Sequence, residues 1–573
     1  MANLPYSLDL SSDNRASKTD EGPRPPHDDL PVKPPYEHST ISRLPSELIA
    51  LIFKALAAAH RESIYPYTWG QRGWHRLGWI RVTHVCRYWR EIAIQNSSLW
   101  CSIDTGLGLP FLEEQLARSK SSPISWSIHS DISPRQIALV SQHLFHIKHL
   151  SCTDLLGRPG EFAEKVLTRP APLLERLTIT ESTYSGQSQL LTILPSGIFA
   201  DSTPSLRCLS IRGAQLPWLL PTLSNLVELK INAVTTALYS TPSGSACSPI
   251  NGRPIPASSL IYYALPQMRS LRTLHLAACL PEPTTEGHEI VDMPYLEDLR
   301  LTGEVTSCGQ LINHIIIPPR CRLLLHCVLT PTGRLGDAEF IVPLLVRCAG
   351  SAKYATTMLF SDKNVSLSLH ESPNDDAASM TLDQWCTPGL LGRINLAIRC
   401  EDNAPQPPDW CSYTLISKLS EGLSPVDIHS LSIVWTSPAF EPYRLWHKAF
   451  KAFHNIRHLH VCHFSMVMLA IAWSPVVRDA WGPLLDQEQL PTAEDLRAFP
   501  HLASLSLLAI TPDQNFLGLT FHEALQEALI ERKNSDMALQ KLSLVRCKME
   551  EDEVEHLKEL VPTLRWEKYE DEQ

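Results

Sequence analysis

The sequence predicts an α/β protein in which a helical N-terminal module precedes an irregular solenoid built on a curved parallel sheet. The first observation is an apolar stripe at helical spacing between residues 44 and 56. The second is a six-residue pattern, apolar-x-x-apolar-x-apolar, that recurs ten times between residues 147 and 544. Helix-like stretches such as 134–145 and 521–532 lie between these short strands, and such alternation favours a parallel sheet.

A helix start is predicted near residue 45. Pro45 suits the first helical turn, where its missing N–H has no partner to lose. Glu47 suits the positive end of the helix dipole. The apolar stripe that follows consists of Leu44, Leu48, Leu51, Ile52 and Leu56.

A second apolar cluster lies within residues 79–93. It comprises Ile80, Val82, Val85, Cys86, Trp89 and Ile92, which alternate with charged residues. Three short helices cannot bury this much apolar surface among themselves, so a partner or a fused domain should cover the remainder. The alternative is that the segment is a helical cap on a larger domain.

Three motifs follow one another in this segment. They are Leu-Pro-x-Glu-Leu at 44–48, Val-Cys-x-x-Trp at 85–89 and Leu-Trp at 99–100. In that order they resemble an F-box. The run at 79–90, after the insertion at 57–78, resembles the F-box-like proteins of mushroom-forming fungi.

The F-box resemblance implies a docking module rather than an active site. It implies binding to a Skp-family adaptor and, through the adaptor, to the cullin of an SCF-type ubiquitin ligase. The adaptor contacts that the resemblance implies are Leu44, Pro45, Leu48, Ile52, Leu56, Val85, Cys86 and Trp89.

Composition limits the remaining classes. The chain has 573 residues, more than one ordinary domain unless it is a repeat array, and 44% of its residues are hydrophobic. Its net charge is −11, of which residues 549–573 contribute −7, whereas residues 40–100 hold eight Lys/Arg against three Glu. A basic stripe on a basic domain is absent from this pattern, so we predict no nucleic-acid partner.

Cysteine usage and hydropathy predict an intracellular protein. The fifteen cysteines are scattered and the N-terminal residues are polar, so we expect reduced thiols and a cytoplasmic or nuclear location. The longest apolar run, 466–473, has eight residues, against the ~20 that span a membrane. We therefore predict no membrane association.

The recurring pattern resembles a degenerate leucine-rich repeat. Successive copies in the first half lie 27, 32, 20, 45 and 25 residues apart, whereas such repeats usually have periods of about 20–29 residues. Each strand-plus-helix unit has an apolar face that stacking would bury. Another α/β arrangement is the alternative. The copies start at Ile147, Leu174, Leu206, Leu226, Leu271, Leu296, Ile428, Ile456, Leu502 and Leu539.

Two regions interrupt the pattern. Residues 234–259 are rich in Ser, Thr, Pro and Gly and are predicted to form an exposed loop. Residues 305–427 hold less regular strand-like runs at 322–328, 365–369 and 394–398. The predicted organisation is a disordered Pro-rich arm at 1–39, an F-box-like domain at 40–105, a leucine-rich-repeat-like domain at 106–566 and an acidic tail at 567–573.

Searches for catalytic motifs favour a non-enzyme without a cofactor. The sequence has no phosphate-binding loop, dinucleotide fingerprint, nucleophile elbow or zinc-protease motif. His458, His460 and Cys462 would share one face of a strand and could hold zinc. Because Leu459 and Val461 are the buried positions of that repeat, the alternating residues more simply face outward, and we predict no metal site.

The predicted function is substrate recognition for the ligase, with the repeats binding an unknown target protein. The polar residues between the apolar positions should face one exposed surface, and a mixed polar surface suits a protein ligand. One alternative is a leucine-rich-repeat interaction scaffold without a ligase role, and another is an enzyme whose site is formed by distant residues. The predicted substrate-binding residues are Arg176, Thr178, Glu228, Lys230, His275, Asp298, Arg300, His458, His460 and Lys541.

Overall fold

A computed structural model gives the fold. The predicted arm at 1–39 and most of the insertion at 57–78 lie outside the described residues, as does the chain beyond 568. The described residues are 44–59, 78–105, 108–129, 132–153, 159–180, 192–194, 197–233, 248–250, 253–255, 257–281, 289–329, 341–342, 345–346, 352, 354–361, 364–370, 394–400, 421–423, 426–435, 453–462, 499–508, 520–547 and 549–568.

Nine α-helices lie within the described residues. They are α1 (Ser46–Ala59), α2 (Arg87–Gln95), α3 (Leu109–Ser119), α4 (Pro134–His143), α5 (Pro159–Phe162), α6 (Ile261–Ala264), α7 (Val305–Asn313), α8 (Phe521–Asn534) and α9 (Glu551–Leu560). Short 3-10 helices span Gly78–His84, Ser97–Trp100, Leu144–His146, Ile198–Asp201, Pro221–Asn225, Ala257–Leu260 and Leu265–Gln267, and a π-helical turn spans Ala163–Leu167.

Twenty-three strands accompany these helices in the described residues. They are β1 (Ser102–Asp104), β2 (Ile124–His129), β3 (Ile147–Thr153), β4 (Arg176–Thr180), β5 (Thr192–Ile193), β6 (Cys208–Arg212), β7 (Ala214–Gln215), β8 (Glu228–Asn232), β9 (Ser248–Ile250), β10 (Arg253–Ile255), β11 (Thr273–Ala277), β12 (Val291–Asp292), β13 (Asp298–Glu304), β14 (Ile315–Ile316), β15 (Arg322–Leu329), β16 (Tyr354–Ser361), β17 (Asn364–His370), β18 (Ile394–Cys400), β19 (Ser430–Trp435), β20 (His458–Cys462), β21 (Ser504–Leu508), β22 (Lys541–Cys547) and β23 (Thr563–Lys568).

The N-terminal helices enclose a small core of their own. Trp79 and Trp100 meet edge to face with ring centroids 5.0 Å apart, and the Trp100 indole N–H donates to the Ala93 carbonyl at 2.8 Å. Because a buried indole N–H usually needs a hydrogen-bond partner, this hydrogen bond helps to fix the position of the ring. The buried members of this core are Ile49, Phe53, Trp79, Ile80, Val82, Ala93, Leu99 and Trp100.

Seventeen strands form one sheet, which contains every predicted repeat strand. The last four positions of each of the ten patterns lie in a strand, and these strands run parallel to their repeat neighbours. The spatial order is β1-β2-β3-β4-β6-β8-β11-β13-β15-β18-β17-β16-β19-β20-β21-β22-β23. The predicted leucine-rich-repeat-like solenoid is thereby confirmed.

The strands of the first half are aligned without a shift from β3 to β15. Leu150, Leu177, Leu209, Leu229 and Leu274 pair in sequence across neighbouring strands, and all are buried. A shift of one residue would turn each leucine to the opposite face, so the apolar pattern fixes the register. Replacing one such leucine with alanine would cost about 2–5 kcal/mol.

One strand breaks the predicted parallel sheet. Strand β17 lies between β16 and β18 and is antiparallel to both, while β18 pairs with β15 and β16 pairs with β19 in parallel. The chain therefore leaves the solenoid order after β15 and returns to it at β19. The main sheet is therefore parallel, as predicted, except at this strand.

The prediction of an exposed loop at 234–259 is wrong for its second half. Strands β9 and β10 form a two-stranded antiparallel ribbon, and a 3-10 helix begins at residue 257. Residues 234–247 lie outside the described residues. Two further parallel ribbons, β5–β7 and β12–β14, lie outside the main sheet.

Helix α3 joins the N-terminal module to the sheet. Phe111 packs against the core of the module, whereas Leu112 and Leu116 belong to the core of the sheet. The Arg118 guanidinium lies 4.3 Å from the Trp100 ring centroid, and the hydroxyls of Ser97 and Ser122 are 2.8 Å apart. The two parts therefore share an interface. Strand β1, inside the range predicted for the module, pairs with β2 of the sheet.

Candidate docking surfaces

Helix α1 divides its apolar residues between two faces. Ile49 and Phe53 are buried in the core of the module, and Phe53 meets Trp89 of α2 edge to face at 5.2 Å. Leu48 and Ile52 each precede a buried residue by one position, which turns them about 100° around the helix. Both are exposed, as is Leu51.

The start of α2 adds two more exposed apolar residues. Val85 and Tyr88 are both exposed, although the sequence around them is strongly apolar. Arg81, Arg87 and Arg90 are exposed in the same segment. An exposed apolar patch that is rimmed by polar residues is typical of a surface that binds another protein.

Cys86 has a structural role that the sequence did not reveal. It is extended (φ −155°, ψ 169°) and occupies the N-cap of α2, where its Sγ accepts a hydrogen bond from the Trp89 backbone N–H at 3.5 Å. An N-cap side chain satisfies one of the unpaired donors of the first helical turn. Cys86 is also exposed, so its thiol edge faces solvent.

The predicted adaptor-binding residues fall into two groups. Pro45, Leu48, Ile52, Val85 and Cys86 are exposed. The other three are half-buried and pack against the core of the module: Leu44, Leu56 and Trp89. The exposed group is free to contact a partner, whereas the second group would mainly support the helices.

Sequence reasoning missed two exposed residues of this surface as contacts. Leu51 belongs to the predicted stripe and is exposed, and Tyr88 lies between Cys86 and Trp89. Helix α1 contains few polar residues, so its sequence does not indicate which of its apolar residues face outward.

The second candidate surface is the sheet face between the apolar rows. Arg176, Glu228 and Asp298 lie in one row across the strands, while Lys230, His275 and Arg300 lie in the next, together with Thr178. None of these seven residues is fully buried. The register therefore brings together residues that are up to 124 positions apart in the chain.

Two carboxylates connect the charged residues of this face. Glu228 lies between two cations, with Oε2 3.2 Å from Arg176 Nη1 and Oε1 2.6 Å from Lys230 Nζ. Asp298 Oδ2 lies 3.0 Å from His275 Nε2 and 2.8 Å from Arg300 Nη2. Each carboxylate thus bridges two donors.

These contacts set the charge states. Burial alone would raise the pKa of Glu228, but Lys230 and Arg176 outweigh it and hold that pKa below its usual value. Burial likewise opposes ionisation of Asp298, and Arg300 and His275 overcome it to lower the pKa. Burial lowers the pKa of His275, which Asp298 offsets in part. At neutral pH both carboxylates are therefore ionised and His275 is neutral.

The last three predicted residues lie on the C-terminal strands, separate from that network. His458 pairs with Lys541 through Ser504, and His460 lies between Ser432 and Ser506. Burial lowers the pKa of His460 to about 4, with smaller contributions from His458 and Lys541. Among the described residues, no three His, Cys, Asp or Glu side chains are placed to hold a metal ion.

Comparison with known proteins identifies the N-terminal module. The F-box-like family model matches residues 41–105, so the chain carries an F-box-like domain there. A leucine-rich-repeat protein of Leptospira interrogans is 13% identical, and the match covers 75% of this chain and 98% of that one with a TM-score of 0.19. The repeat assignment rests instead on the strand order and register described above. No curated protein matches the chain.

The chain is thus an F-box-like domain joined to a leucine-rich-repeat-like solenoid. Within the part of the chain that the structure describes, no helix is both long enough and apolar enough to cross a membrane.

Proposed function

We propose that the protein is the substrate-recognition subunit of an SCF-type cullin ubiquitin ligase. The F-box-like domain would bind a Skp-family adaptor, and the repeats would bind the protein to be ubiquitinated. The observation that carries this proposal is the exposed apolar surface of Leu48, Leu51, Ile52, Val85 and Tyr88 on a domain that matches the F-box-like family.

The proposal assigns different roles to the predicted contact residues. Leu48, Ile52 and Val85 would bury apolar area against the adaptor, because they are exposed in the free chain. Leu44 and Trp89 would hold α1 and α2 in position, because they already pack against the module. In this reading the protein positions a target for ubiquitination and carries out no chemistry itself.

Adaptor binding tests the proposal directly. Changing Leu48 and Ile52 together to serine should weaken binding to a recombinant Skp-family adaptor on the order of several hundredfold, since each of two central anchors typically contributes about 2 kcal/mol. The fold should survive because both side chains are exposed. Isothermal titration calorimetry with the purified full chain measures the change.

A matched control exists on the solenoid. Ile316 is also an exposed isoleucine, and Ile316→Ser should leave adaptor affinity unchanged. Wild-type affinity in the Leu48/Ile52 double variant would contradict docking through this surface. The domain would then be a helical cap on an interaction scaffold, a role that its contacts with α3 also suit.

A further inference from the structure

The sheet face from β3 to β15 is basic, although the chain as a whole is acidic. Three consecutive rows across these strands hold Arg176, Arg212, Lys230, Arg300 and Arg322. The same rows hold two carboxylates, those of Glu228 and Asp298. The local charge therefore opposes the net charge of −11, so this face should attract an anionic ligand.

The cations are also the more accessible members of each ion pair. The side chains of Glu228 and Asp298 are 20% and 22% exposed, against 48% for Arg176, 39% for Lys230 and 41% for Arg300. A guanidinium has five N–H donors, and Arg176 directs one of them to Glu228. A ligand approaching this face would therefore meet N–H groups before carboxylates.

The spacing of these three cations restricts the shape of the ligand. Arg176 lies on β4, Lys230 lies two strands away on β8, and Arg300 lies two further on β13. Neighbouring strands are about 4.8 Å apart, so successive cations are separated by roughly 10 Å across the sheet. Along the strands, Arg176 lies one row, about 7 Å, from Lys230 and Arg300, a distance that a long arginine side chain can span. A polyproline II segment advances about 9.3 Å in three residues and presents every third side chain on one face.

We propose that this face binds an acidic segment of a partner protein in polyproline II conformation, with carboxylates at every third residue. The segment would cross the strands from β4 to β13, and its three carboxylates would meet Arg176, Lys230 and Arg300. The proposal rests on the proposed function, because it names the class of segment by which a target would be recognised.

The composition of the face argues for a peptide rather than a nucleic acid. The two rows that hold the ion pairs on β4, β6, β8, β11 and β13 contain no Phe, Tyr or Trp. Single-stranded nucleic acids usually require such side chains for base stacking. Carboxylates that alternate with cations would also repel a continuous row of phosphates.

Peptide binding to the wild-type full chain tests whether the ligand must carry a carboxylate at every third residue. The probes are fluorescein-labelled Glu-Pro-Pro-Glu-Pro-Pro-Glu and its isomer Glu-Glu-Glu-Pro-Pro-Pro-Pro, compared by fluorescence anisotropy at low salt. We expect the period-three peptide to bind at least tenfold more tightly than the isomer, and a version with Gln in place of Glu not to bind. Equal affinities for the two isomers, or no binding of either, would overturn the proposal.

Single substitutions then locate the site. Lys230→Gln and Arg176→Gln should each weaken binding at least threefold, whereas Lys533→Gln, the same kind of change at an exposed position of helix α8, should have no effect. A ten-residue oligo-dT that binds as tightly, with the same sensitivity to Lys230→Gln, would make this a general polyanion surface and overturn the peptide assignment. Because no adaptor is present, failure here is distinct from failure of the docking test.

Discussion

Cys86 is exposed to solvent and also caps helix α2. Substitution can separate its effect on adaptor binding from its effect on the helix. Its Sγ caps α2 by accepting from the Trp89 N–H. Serine is a better N-cap than alanine, so Cys86→Ser should keep or raise the stability of the protein, while Cys86→Ala should lower it by about 1 kcal/mol. Thermal unfolding of the two variants, followed by circular dichroism, measures the difference.

The same pair of variants separates capping from docking. If adaptor affinity falls equally in Cys86→Ser and Cys86→Ala, the thiol itself contributes to binding. If it falls in the alanine variant alone, Cys86 acts through the position of α2. Equal stability of the two variants would show that the hydrogen bond to Trp89 does not stabilise the helix.

His460 should make the C-terminal strands sensitive to acid. Burial, with smaller repulsion from His458 and Lys541, lowers its pKa to about 4 in the folded protein, whereas an unfolded histidine titrates near 6.5. Between these values the unfolded chain binds the proton and the folded chain does not. Neutral His460 therefore makes its full contribution to the free energy of unfolding above pH 6.5, and this contribution is lost as the pH falls toward 4.

The expected size of this effect is on the order of 2 kcal/mol, because the side chain is partly exposed and screening reduces the loss. Urea unfolding at a series of pH values measures it, and His460→Gln should flatten the profile between pH 6.5 and 4. His454→Gln serves as the control, because His454 is exposed and precedes strand β20, and it should leave the profile unchanged. An unchanged profile in His460→Gln would contradict the assignment.

At the level of elements, the sequence predicts the buried face of a strand more readily than the buried face of a helix. A repeat strand alternates strictly, as in Leu177-Thr178-Ile179, so its buried side follows from the sequence. Helix α1 has apolar residues at most positions, and both 48–52 and 49–53 satisfy helical spacing. The choice between those faces depends on Trp89 and the other helices, which the local sequence does not encode.

The order of strands in the middle of the sheet shows the same limit. The runs at 365–369 and 394–398 were predicted as strands and correspond to β17 and β18. Their directions were not predicted, because a period of two is the same for parallel and antiparallel pairing. The pairing of β15 with β18 also joins residues about 70 positions apart, which no local pattern specifies.

The candidate sheet site was predictable in position but not in chemistry. Alternation placed Glu228, Lys230, Asp298 and Arg300 on one face. It did not reveal that Glu228 bridges Arg176 across 52 residues of sequence or that Asp298 bridges His275 across 23. Because those pairs depend on the strand register, the basic character of the accessible surface emerged from the structure.

For the whole molecule, the architecture predicts local rather than global responses to damage. In the solenoid each repeat strand hydrogen-bonds to its immediate neighbours, so stability approximates a sum of neighbouring contacts. Leu505 of β21 is fully buried, and Leu505→Ala should cost about 2–5 kcal/mol at that position. Strands β3, β4 and β6 lie at least ten strands away from β21 in the sheet order.

Hydrogen exchange followed by mass spectrometry can resolve this response along the chain. In Leu505→Ala, exchange should accelerate in β20, β21 and β22 while β3, β4 and β6 keep wild-type protection. Leu177→Ala, in β4, is the matched control and should give the reverse pattern, since Leu177 is equally buried. Uniform acceleration of exchange over the whole sheet in either variant would mean that the seventeen strands unfold as one unit. In that case the antiparallel strand β17 and its neighbours would couple the two halves of the sheet more tightly than nearest-neighbour stacking allows.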